Sequence, residues 1–89
     1  MIQTKIILMN KLGLHARASA KLVSTALRFR SQCDLIQQHK SINAKSIMAV
    51  MGLGSRCGET IELKIEGPDE QEMEAALVKL IENKFGESE

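Results

Sequence analysis

Thr60–Glu66, read as Thr-Ile-Glu-Leu-Lys-Ile-Glu, alternates apolar and polar residues without a break. In a strand successive side chains point to opposite faces, so Ile61, Leu63 and Ile65 share one face and Thr60, Glu62, Lys64 and Glu66 the other. A strand with one apolar and one charged face belongs to an antiparallel sheet that meets water on one side. The apolar side must then be covered, and helices are the available cover in a chain of 89 residues.

The other segments supply those parts. Ile2 to Met9 is rich in β-branched and apolar residues and reads as a strand, followed by the turn Asn10–Gly13. From Ala16 to about Leu27 the apolar set Ala16, Ala20, Val23 and Leu27 recurs at helical spacing. The small residues Ser19, Ser24 and Thr25 between them suit a helix lying close to a sheet. Cys33 and Leu35 alternate with Gln32 and Asp34 in a second strand, and Gln38-His39 turns into a short third one, Lys40–Asn43. That turn lacks the Asn-Gly pair typical of tight hairpins. Ser46 precedes Ile47–Met51 as the N-cap of a short helix closed by Gly52 and Gly54. Asp69 and Glu72 form an acidic variant of a capping box for a last helix, whose buried stripe is Met73, Ala76, Leu77, Leu80 and Ile81. The order β-α-β-β-α-β-α, in one domain spanning residues 1–89, makes an α+β two-layer sandwich.

Composition excludes several functions. Aromatic residues make up 2% of the chain, too few for a base-stacking platform, and a net charge of +1 gives no general attraction to nucleic acid or membranes. Cys33 and Cys57 are too far apart for a metal knuckle and read as reduced thiols of a cytoplasmic protein. His39, in a turn without acidic or thiol neighbours, is expected to be exposed and non-functional; no metal and no cofactor is expected. No apolar run approaches the roughly 20 residues of a membrane helix, so no membrane insertion is expected.

The chemistry concentrates at Gly13-Leu14-His15-Ala16-Arg17. The first amides of a helix have no intrahelical acceptor and sit at the positive end of its dipole, where they hold anions. His15 opens the helical pattern there, and the backbone N–H groups of Ala16, Arg17 and Ala18 follow it. A neutral ring nitrogen can attack phosphorus and store a phosphoryl group covalently. Arg17 offers a donor fork suited to phosphate oxygens.

Asn10-Lys11-Leu12-Gly13-Leu14-His15-Ala16-Arg17, with Asn43-Ala44-Lys45-Ser46-Ile47-Met48 and the late Gly67-Pro68-Asp69 turn, resembles the HPr family of histidine phosphocarriers of the bacterial phosphotransferase system. The resemblance covers the whole chain. It implies an open-faced β-sandwich with strand order 1-4-2-3 and three helices on one face. It also implies that His15 accepts a phosphoryl group on Nδ1 from enzyme I, helped by Arg17, and passes it to enzyme IIA. Such a protein is a carrier, not an enzyme with its own turnover. The sequence departs from the family at Ala18, where proline is usual; alanine adds a backbone N–H but loses proline's preset φ.

By its own context Ser46 is a helix cap; by resemblance it is also a regulatory phosphorylation site for HPr kinase/phosphorylase. Ile47, Met48 and Met51 suit a small adaptable docking patch, with Lys21, Lys45, Arg17 and Arg56 as a basic rim. The expected protein is a cytoplasmic monomer. Two rival readings are a regulatory relay of the nitrogen-related type and an allosteric binding module switched at Ser46.

Overall fold

The computed structural model describes residues 1–88. Four strands, β1 (Ile2–Ile7), β2 (Gln32–Gln37), β3 (Lys40–Asn43) and β4 (Thr60–Glu66), form one sheet in the order β1-β4-β2-β3. All three pairings are antiparallel. Helices α1 (Ala16–Ala26), α2 (Ile47–Leu53) and α3 (Glu70–Glu82) complete the element order read from the sequence.

The alternation in β4 is borne out: Ile61, Leu63 and Ile65 are fully buried. They meet Leu35, Cys33, Leu22, Met73, Leu77 and Ile81 in a single core. On the open face the register sets Lys5 opposite Glu62 and Asp34 opposite Lys64. Opposite charges facing each other across strands favour this register. Gln38 and His39 link β2 to β3 with φ of 49° and 69°. A two-residue hairpin turn with both φ positive matches the strand twist even without Asn-Gly.

Five details differ from the sequence expectation. The buried side of α1 is Ala18, Ser19, Leu22, Val23 and Ala26, whereas Ala16 and Leu27 face solvent. The roll of a helix about its axis is set by its tertiary anchors. Here the Leu14 N–H donates to the Ser55 carbonyl (2.9 Å), and Leu14 is buried just ahead of the helix. Ser19 is tolerated inside because its hydroxyl donates to the Leu14 carbonyl (3.1 Å).

Helix α2 runs through Gly52, and only Gly54, at φ 65°, ends it in the left-handed conformation. Asp69 precedes α3 but does not cap it. Its carboxylate instead accepts from the backbone N–H groups of Arg30 and Ser31 (2.9 Å each) and from the Ser31 hydroxyl. In the expected α3 stripe, Met73, Leu77 and Ile81 are buried while Ala76 and Leu80 are only partly so. Finally, a 3-10 turn at Lys84–Gly86, unforeseen in the sequence, folds the chain back so that Phe85 enters the core at 1% exposure. Among the described residues no helix is long and apolar enough to cross a membrane.

Candidate functional site

The site begins with Gly13. Its φ of 62° suits glycine, and a Cβ there would collide with the backbone of Ser55 and Arg56. The preceding turn is pinned by Asn10, which is fully buried. The Gly13 N–H donates to the Asn10 carbonyl (3.1 Å), and the Asn10 side-chain amide donates back to the Gly13 carbonyl (2.8 Å). The chain therefore enters α1 at a fixed angle.

His15 is the N-cap of α1, in extended backbone at φ −75° and ψ 179°. Its carbonyl accepts the first helical bond, from the Ser19 N–H (2.8 Å). Its imidazole makes no capping bond to the helix. Ala16, Arg17 and Ala18 form the first turn, whose N–H groups have no intrahelical acceptor. The Ala18 side chain is buried, so among these three it also anchors the helix.

The imidazole turns instead toward Glu87: Nε2 meets Oε2 of that carboxylate in a short contact. The other carboxylate oxygen, Oε1, accepts from the Asn10 amide (3.0 Å). Burial works against the charged form of Glu87. The hydrogen bonds from Asn10 and His15, with the charges of His15 and Arg17, outweigh it and hold the carboxyl below its ordinary pKa. The segment carrying Glu87 is fastened one step earlier, where the Lys21 ammonium donates to the Phe85 carbonyl (2.6 Å). Leu12, His15, Arg17, Lys21, Gly86 and Glu87 contribute to the walls of a cleft of about 830 Å³. A quarter of the His15 side-chain surface remains exposed in it.

The remaining candidates fall on other parts of the surface. Ser46 caps α2, its hydroxyl oxygen accepting from the Ala49 N–H (3.3 Å). The Lys45 ammonium donates to the Phe29 carbonyl (2.8 Å), which fixes it against the end of α1. Ile47, Met48 and Met51 are 40%, 78% and 42% exposed, so none of the three is a core residue; Val50 is the buried residue of α2. Arg56 and His39 are exposed. Cys33 is buried, and burial, with Asp34 adding and Lys45 opposing, pushes its thiol up to about 12, so it stays protonated and inert. Exposed Cys57 lies against the Met9 carbonyl (3.7 Å). Among the described residues no His, Cys, Asp and Glu cluster could hold a metal ion.

Sequence reasoning missed Asn10, Phe85 and Glu87. Asn10 reads as an ordinary turn residue, and Glu87 lies 72 residues from the histidine it touches. The one available signal was Phe85, a large apolar residue standing beyond the last helical stripe.

The fold and the site place the chain in the class of four-stranded open-faced α+β sandwiches with a histidine at the head of the first helix. Within that class the chain belongs to the HPr family. The family model for the PTS HPr component phosphorylation site matches residues 2–83. The chain is 51% identical to phosphocarrier protein HPr of Cupriavidus necator over the full length of both. It is 47% identical to that of Xylella fastidiosa over 98% of each. Among solved structures, HPr of Thermoanaerobacter tengcongensis superposes with a TM-score of 0.96 at 48% identity, both chains fully covered. An HPr dimer from the same organism matches with a TM-score of 0.79 at 49% identity, covering 98% of this chain and all of the other.

Proposed function

We propose that His15 accepts a phosphoryl group on Nδ1 from phosphorylated enzyme I and delivers it to enzyme IIA. The observation that carries this reading is that, among the described residues, one ring nitrogen only is engaged: Nε2 is taken by Glu87, which leaves Nδ1 for chemistry. The Nδ1 lone pair attacks phosphorus, and the bond from phosphorus to the donor's ring nitrogen breaks. The first-turn amides of α1 and the Arg17 guanidinium then face a dianionic group. Each such contribution at an exposed helix end is on the order of 0.3–1 kcal/mol, enough to hold the group and small enough to let it leave. The protein is thus a phosphorylated intermediate and not a catalyst with turnover of its own.

The exposed side chains of Ile47, Met48 and Met51 support an adaptable apolar docking surface for both partners. Lys21 and Lys45 belong to its rim, although each spends its ammonium on a backbone carbonyl. Ser46 is the proposed target of HPr kinase/phosphorylase; a phosphate there would add negative charge beside that surface and weaken acidic partners. The carrier is proposed to act as a cytoplasmic monomer.

The test is intact-mass analysis after incubation with enzyme I and phosphoenolpyruvate. One acid-labile phosphoryl group, absent in His15→Ala, is the expected result. No uptake alongside an active enzyme I would overturn the reading.

A further inference from the structure

The contact between His15 and Glu87 is not a chance meeting of two surface chains. The carboxylate is held from three directions. Asn10, fully buried and bonded to Gly13, donates to its second oxygen. Phe85, 1% exposed, plugs the segment that carries it into the core. Lys21, one turn along α1 from Arg17, clasps the Phe85 carbonyl. To follow this path Lys84 and Phe85 both adopt φ of 56°, a left-handed conformation that side chains other than glycine adopt at a cost. A packed core residue, a buried amide and two left-handed residues thus converge to set one carboxylate on Nε2.

We infer that Glu87 is a positioning residue for phosphoryl transfer, acting through the imidazole of His15. A carboxylate at Nε2 accepts the Nε2–H and so selects the tautomer whose lone pair is on Nδ1. It also fixes the ring plane, aiming Nδ1 away from the segment that carries Glu87. When Nδ1 gives its electron pair to phosphorus, no proton leaves the ring: Nε2–H stays, the ring takes on positive charge, and the adjacent carboxylate balances it. On delivery the N–P bond breaks, the pair returns to Nδ1 and the ring is neutral again. Asn10 serves the same end one step removed, orienting the carboxylate through the hydrogen bond to its second oxygen. Glu87 touches neither phosphorus nor Nδ1, so its role is orientation and charge balance.

This inference rests on the phosphocarrier reading for its consequence, but its first readout is independent of transfer. Nitrogen-edited NMR of the His15 ring in the full chain should show Nε2 protonated, with its proton slowed in exchange. In Glu87→Ala that protection is lost while the thermal midpoint stays close to wild type; Glu87→Gln, which keeps an acceptor oxygen, retains part of it. Removal of a group that orients a metal-binding histidine typically costs 10- to 100-fold; by analogy single-turnover uptake from phosphorylated enzyme I should slow about tenfold in Glu87→Ala, less in Glu87→Gln. An unchanged ring signature and an unchanged rate in Glu87→Ala would overturn the role of Glu87. Absence of uptake by the wild-type protein would overturn the carrier reading instead, with the ring signature still deciding whether Glu87 orients His15.

Discussion

The heads of α1 and α2 begin alike and end differently. Each starts from an extended N-cap residue with a hydrogen-bonding side chain, His15 in one and Ser46 in the other. Ser46 turns its hydroxyl back onto its own helix and accepts from Ala49. His15 turns away and bonds a carboxylate 72 residues distant, leaving the first-turn amides of α1 without side-chain cover among the described residues. The head of α3 offers a third case: Asp69 also declines to cap and instead ties α3 to the loop before β2. A cap that serves its own helix contributes stability locally. A cap residue that looks elsewhere is free to join distant elements or to carry chemistry.

The contrast breaks most sharply at His15. His15→Ala should abolish phosphoryl uptake while costing only about 1 kcal/mol of stability, since the imidazole caps nothing in its helix and gives up a single hydrogen bond, to Glu87. Intact mass and a urea titration on the same sample check both halves. Gly13→Ala should do the reverse, acting first on folding. A left-handed φ together with a collision against the Ser55 and Arg56 backbone predicts a loss of about 3 kcal/mol, read from the denaturation midpoint. Survival of full stability would mean that the turn before α1 is far softer than its hydrogen bonds imply.

Ser46→Ala sharpens the comparison from the other side. Loss of a serine N-cap costs about 1 kcal/mol, and uptake on His15 should be untouched. The smallest effect belongs to Asp69. Hydrogen bonds from the Ser31 side chain and from the Arg30 and Ser31 backbone lower its pKa from the ordinary 3.8 to about 2. A carboxylate with a depressed pKa adds stability that is complete above the unfolded value and lost as pH falls through the folded one. Unfolding curves should therefore weaken between about pH 4 and pH 2, and Asp69→Asn should flatten that limb. An acid limb identical in the variant would reassign it to other carboxylates.

Much of the architecture could be read from the order of residues. The unbroken alternation at Thr60–Glu66 and the pattern at Met73, Leu77 and Ile81 report burial directly, because period two and period 3.6 follow from backbone geometry alone. His15 and Arg17 were legible for a similar reason: the site is built mainly from consecutive residues at a helix start. The strand order came from family resemblance and not from any pattern in the strands, since alternation says which face is buried and nothing about which strand is the neighbour.

The misses share a cause. Ala16 and Leu27 fit a helical stripe as well as Ala18, Leu22 and Ala26 do, and the choice fell to anchors outside the helix, Leu14 and Ser55. Asp69 and Glu72 carry the spacing of a capping box, yet Ser31 and the amides before β2 offered Asp69 more hydrogen bonds than its own helix did.

By itself, then, the sequence determined which segments are strands and helices, which face of β4 is wet, and that a histidine would stand at a helix start. Only the tertiary structure decided how α1 is rolled, that Asn10 is buried, and that the chain beyond α3 folds back to set Glu87 on His15. Local patterns encode what a residue's own backbone period fixes. Contacts between positions 10, 15 and 87 depend on closing a long loop, and that closure is decided by the packing of Phe85 and the core as a whole.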